Sequence, residues 1–157
     1  MKVAAANPVF IKEFLKIHNE YRYRHGVEPL KLSRNICKIS QTHANCLMEG
    51  TTVEQASSNQ KYGENIYMAN SLPDTLLNPN EPLREWYNEI SNYDFTQEPD
   101  PSSKCKNFTQ MIWKDSKEIG VGFVSFEHTH IVVASYSPCG NIGGRYLENV
   151  LPVREDT

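Results

Sequence analysis

The apolar residues of this chain change their period partway along it, and that change sets the fold class. Phe10, Phe14, Ile17 and Tyr21 recur at helical spacing, whereas Ile119, Val121 and Phe123 alternate and His130 to Tyr136 is rich in β-branched residues. Helical stripes in the first half and a strand pattern near the end require a sheet whose apolar faces are covered by helices. The expected class is α+β, a three-layer α-β-α sandwich. At 157 residues the chain is expected to form a single domain over 1–157 with its core at about 8–152.

The first helix is expected from Pro8, with Asn7 as its cap, to Gly26, with Ile11, Leu15 and His18 widening its apolar face. A second helix is expected from Ser33 to Gly50 with Ile36, Ile39, His43 and Leu47 on one stripe, packed against the first. Glu64 to Ala69 reads as a strand, and Pro73, Pro79 and Pro82 mark the following segment as a loop. Leu83, Trp86, Tyr87 and Ile90 predict a third helix over about Glu81 to Asn92. A short fourth helix is expected over Phe108 to Asp115, then a hairpin turning at Glu127, His128 and Thr129.

Charge excludes some functions. The 16 Lys and Arg against 19 Asp and Glu give a net charge of -3, without the basic face that nucleic-acid binding needs. No stretch approaches the roughly 20 apolar residues of a membrane-spanning helix. The N-terminal apolar stretch is too short for a signal peptide, and Lys2 stands where N-myristoylation needs Gly. Of the four cysteines, Cys37 and Cys46 fall about 13 Å apart along one helix, beyond disulfide reach. Reduced thiols and a cytoplasmic location are expected, peripheral at membranes and not classically secreted.

Five histidines invite a metal or acid-base reading. His18 and His25 are assigned to the first helix and His43 to the second, while His128 and His130 flank the turn and are read as solvated. No Cys and His cluster has zinc-site spacing, so neither a metal nor a cofactor is expected. No local motif assembles a Ser-His-Asp or Cys-His arrangement. The Asn107-Phe108-Thr109 sequon is read as accidental, since Phe108 is expected in the core.

Five motifs occur in order: His18-Asn19-Glu20-Tyr21-Arg22, Gly63-Glu64-Asn65-Ile66-Tyr67, Trp86-Tyr87-Asn88-Glu89-Ile90, Asn107-Phe108-Thr109-Gln110-Met111-Ile112-Trp113, and Tyr136-Ser137-Pro138-Cys139-Gly140-Asn141. Together they resemble the CAP superfamily of cysteine-rich secretory, antigen 5 and plant pathogenesis-related proteins. Within it the chain is similar to short Golgi-associated pathogenesis-related and intracellular venom-allergen-like members.

The resemblance implies a cleft holding two glutamates and two histidines, where some members bind zinc. The glutamates map to Glu64 and Glu89. One histidine position is Asn107, and the other falls near Thr52 to Ala56, where no histidine stands. Two glutamates with a neutral amide make a poor zinc site, so a metal-dependent hydrolase is disfavoured. The two carboxylates are expected to repel, so that either one has a raised pKa or Asn107, Gln110 or a cation satisfies them, with Asn65 supporting the cleft.

The function implied is a non-enzymatic binding protein associated with lipid or membrane, its partner a fatty acid, phospholipid or sterol, with homodimers known among similar members. A fatty-acid groove would draw on Phe10, Phe14, Ile17, Ile36, Ile39, Leu47, Met111 and Ile112, most of which also read as ordinary core. The alternative is a protein-interaction scaffold or dimeric immunomodulator-like protein. A hydrolase using the glutamates as acid and base comes last, for want of a nucleophile.

Overall fold

The structure is a computed structural model that describes residues 4–5, 8–50, 62–72 and 75–155. Its elements in chain order are β1 (Ala4–Ala5), α1 (Pro8–Arg24), β2 (Lys31–Leu32), α2 (Arg34–Glu49), β3 (Gly63–Asn70), α3 (Asn80–Tyr87) continued by a 3₁₀ turn (Asn88–Asn92), α4 (Lys106–Met111), β4 (Glu118–Phe126), β5 (Thr129–Ser137) and α5 (Tyr146–Asn149). The sheet runs β1-β4-β5-β3, and β2 pairs in parallel with β4 beside β1. One face carries α1, α3 and α4; the other carries α2. This is the expected three-layer α-β-α sandwich.

β5 shows why two covering layers are needed. Its residues from His130 to Tyr136 are all buried, so both faces of the strand are covered. Ala134, Val132 and Tyr136 join Phe14, Trp86, Phe108 and Met111 in the larger core, while Ile131 and Val133 meet Ala44 and Val124 in the smaller one. Of the residues considered for a fatty-acid groove, Phe10, Phe14, Ile17, Met111 and Ile112 lie in the larger core, and Ile36 is buried as well.

α2 has both signalled ends. The Ser33 side chain accepts from Ile36 N at 3.2 Å, and Gly50 closes the helix at φ 75°, the left-handed region that glycine occupies without Cβ strain. Its packing differs from expectation: α2 lies on β4 and β5 rather than against α1. Its buried residues are Ile36, Ser40 and Ala44, a stripe rotated from the one expected. The cause is close approach. A Cβ at Gly120 or Gly122 would strike α2 near Ile36, Cys37 and Ser40, so the missing side chains of these glycines are what let the helix backbone sit directly on β4.

Three other boundaries move. α1 ends at Arg24, leaving His25 in the turn that Gly26 completes at φ 71°. The third helix tightens to 3₁₀ after Tyr87. α4 runs from Lys106 to Met111 instead of continuing to Asp115, because the buried Arg22 fork takes the carbonyls of Met111 at 3.0 Å, Trp113 at 2.9 Å and Ser116 at 3.2 Å. These groups would otherwise be left unpaired at a buried helix end. Asn7, Pro73 and the segment from Thr51 to Val53 fall outside the described residues.

Candidate functional site

Glu89 lies in the 3₁₀ turn facing the start of α4. Its Oε1 accepts from Asn107 N at 2.9 Å and Phe108 N at 3.1 Å, and its Oε2 accepts from Asn107 Nδ2 at 2.8 Å. The first turn of α4 has no acid of its own and Cys105 makes no side-chain cap, so Glu89 supplies that cap from outside the helix. The expectation that Asn107 satisfies one of the carboxylates matches this geometry.

Asn65 ties the same turn to the sheet. Its Nδ2 donates to Asn107 O at 2.9 Å and lies 3.3 Å from Tyr136 Oη, which in turn lies 3.1 Å from His18 Nε2. A string of polar groups therefore runs from the buried His18 through Tyr136, Asn65 and Asn107 to Glu89. Burial, aided by the Arg22 charge, pushes the His18 imidazole down to about 3. Burial also raises the Tyr136 hydroxyl well above its ordinary range, so both groups are neutral near pH 7.

Glu64 has a different partner. Its Oε2 lies 2.6 Å from Nδ1 of His43, which reaches across from α2. A carboxylate only accepts, so Nδ1 carries the proton shared with Glu64. This corrects the expectation that no imidazole stands beside the acids: the histidine comes from a helix, 21 residues before Glu64. The sequence signal was a titratable residue on an apolar stripe. Segment 52–56, where the resemblance places a histidine, is outside the described residues.

Gln110 does not serve the glutamates. Its amide donates to Ser116 Oγ at 3.0 Å and accepts from Gly140 N at 2.8 Å, under Gly63, where a Cβ would overlap it. Glu64 and Glu89 share no hydrogen-bond partner among the described residues, so the expected carboxylate pair is two separately satisfied groups. His130 is also reassigned. It is buried, with Nε2 2.6 Å from Ser71 Oγ and Nδ1 2.8 Å from Ser125 Oγ, and His128 alone is exposed. His25 is a core latch, 2.6 Å from Leu151 O and 2.7 Å from the Tyr87 hydroxyl, its pKa lowered chiefly by burial.

A His-carboxylate pair whose second ring nitrogen is unprotonated can act as a general base or hold one coordination position of a metal. Zinc needs three or four ligands. Among the described residues no three His, Cys, Asp or Glu side chains converge, and both Glu89 oxygens already receive N–H donors. These residues do not fit a zinc centre.

The profile of the cysteine-rich secretory protein family, CAP, matches residues 15–136. Golgi-associated plant pathogenesis-related protein 1 of Homo sapiens is 40% identical over 156 residues, covering 96% of this chain and 98% of that protein. Venom allergen 5.02 of Vespa crabro is 28% identical over 152 residues, covering 83% of this chain and 75% of its own. The crystal structure of hookworm platelet inhibitor superposes with a TM-score of 0.70 at 19% identity, over 88% of this chain and 74% of that one.

Proposed function

Because the chain belongs to the cysteine-rich secretory protein (CAP) family, we propose that it is a non-enzymatic binding protein that meets a phospholipid surface through the loop between β3 and α3. The observation that carries this reading is the exposure of Leu72 at 77% and Leu76 at 93% on that loop. Large apolar side chains held in water on one loop mark an interaction surface. The helix faces considered for a fatty acid are largely spent in the core, so the lipid contact moves to the surface.

The site chemistry supports a non-enzymatic role. Glu89 is engaged as a helix cap, donated to by two backbone N–H groups and the Asn107 amide. Cys37, Cys105 and Cys139 are free thiols, which suits a reducing compartment on the cytoplasmic side of a membrane. The human relative's name places that protein at the Golgi; for this chain, peripheral attachment to an internal membrane is the corresponding reading. A net charge of -3 favours uncharged headgroups over anionic ones.

Co-sedimentation with phosphatidylcholine vesicles tests it. The wild type is expected to bind, and the double variant Leu72→Asp with Leu76→Asp to bind about tenfold more weakly or less, at unchanged thermal stability because both residues are exposed. Equal sedimentation of the two proteins, or none by the wild type, overturns the reading.

A further inference from the structure

No local motif in the chain pairs a nucleophile with a base, yet the fold builds such a pair at the root of the loop between β3 and α3. Ser71 Oγ lies 2.6 Å from His130 Nε2, and His130 Nδ1 lies 2.8 Å from Ser125 Oγ. Ser71 directly follows β3, while Ser125 and His130 stand on β4 and β5 either side of the hairpin turn. The Ser71 backbone is tied to the same turn: its N–H donates to His128 O at 2.8 Å, and its carbonyl lies 3.1 Å from His128 Nδ1. The His130 imidazole is 3% exposed and sits beside the Phe123 ring, their centroids 6.1 Å apart.

The direction of the two hydrogen bonds decides what the pair can do. Hydroxyl donors make shorter bonds than N–H donors. In the neutral imidazole the 2.6 Å contact therefore has Ser71 donating to Nε2, and the 2.8 Å contact has Nδ1–H donating to Ser125 Oγ. The other acceptor of the Ser71 hydroxyl, Leu72 O at 3.4 Å, is too distant to compete. Nε2 then offers the lone pair a base needs, and Ser125 holds that tautomer. Leu72 N–H, next in the chain after the nucleophile, has no hydrogen-bond partner among the described residues. An amide in that place donates to the oxyanion in acyl transfer.

We infer that Ser71 is an acyl acceptor, taking one acyl group from an activated ester or a thioester. Its Oγ attacks the carbonyl carbon, and an Oγ–C bond forms as the C–O or C–S bond to the leaving group breaks. His130 Nε2 takes the hydroxyl proton and returns it to the departing alkoxide or thiolate, so the exchange needs no oxidant and no cofactor. Because His130 is 3% exposed, an acyl group on Ser71 keeps water from Nε2. The new ester persists, and the event is a modification rather than turnover. An acyl chain on Ser71 adjoins Leu72, 77% exposed, and adds apolar length to that loop.

A soluble ester needs no vesicle, so this test is independent of the membrane reading. Incubation with 4-nitrophenyl butyrate, followed by mass spectrometry of the intact chain and its peptides, is expected to show one butyryl group on Ser71. His130→Gln keeps an amide for the two hydroxyls but takes no proton, and is expected to slow labelling about a hundredfold. Ser125 is a positioning residue: Ser125→Ala is expected to slow labelling about tenfold, and Ser125→Thr, which keeps the hydroxyl, to restore it. Circular dichroism checks the fold of each variant, and the Ser125 pair decides if His130→Gln does not fold. A label confined to lysines, labelling undiminished in His130→Gln or Ser125→Ala, or continuous nitrophenolate release without a retained ester overturns the inference.

Discussion

Two histidine-carboxylate relationships stand on opposite sides of the sheet. On the α2 side, His43 touches Glu64 directly at 2.6 Å, and the pair has no further hydrogen bond among the described residues. On the other side, His18 reaches Glu89 only through Tyr136, Asn65 and Asn107, and Glu89 ends with three N–H donors. The same side-chain types have become different things. A carboxylate with three donors at a helix start is architecture, and one with a single partner among the described residues is the more available of the two.

The largest expected effect probes the buried string. The folded His18 value, about 3, lies below the unfolded 6.5, so stability is full above about pH 6.5 and is lost as the pH falls from there toward 3, where the unfolded chain takes up the proton first. The loss approaches about 1.4 kcal/mol per pH unit, a few kcal/mol in all. Urea titrations from pH 7 to pH 4 are expected to show this slope, and His18→Phe to remove most of it.

Next in size is the cap. Glu89→Ala strands two backbone N–H groups and the Asn107 amide, and is expected to cost about 2 to 3 kcal/mol by denaturant unfolding. Asn107→Ala removes one donor to that carboxylate and leaves the two backbone bonds, for about 1 kcal/mol. The smallest effect is expected at Glu64→Gln, within about 0.5 kcal/mol, since an exposed pair adds little. If Glu64→Gln costs as much as Glu89→Ala, the distinction between architecture and availability fails.

Much of the fold was legible where local chemistry decides. Ser33 and Gly50 mark both ends of α2, the β4–β5 hairpin follows its alternation, and Phe108 to Trp113 are buried as their pattern requires. What α2 packs on was not legible from its own stripe, because the deciding residues are Gly120 and Gly122, far along the chain. The site divides in the same way. Asn107 beside Glu89 was foreseeable from an amide replacing an imidazole in a five-motif pattern. His43 beside Glu64 was not, since its helix was assigned to the wrong neighbour.

The sequence by itself determined the class, the family and the residue types at the cleft, because periodicity, caps and motif order are local properties of the chain. Only the tertiary structure decided which partner each glutamate has among the described residues and how His18 is tied into the polar string. Those outcomes rest on hydrogen bonds between residues 18, 21 and 118 positions apart, and local spacing carries no information about contacts that exist only once the layers are packed.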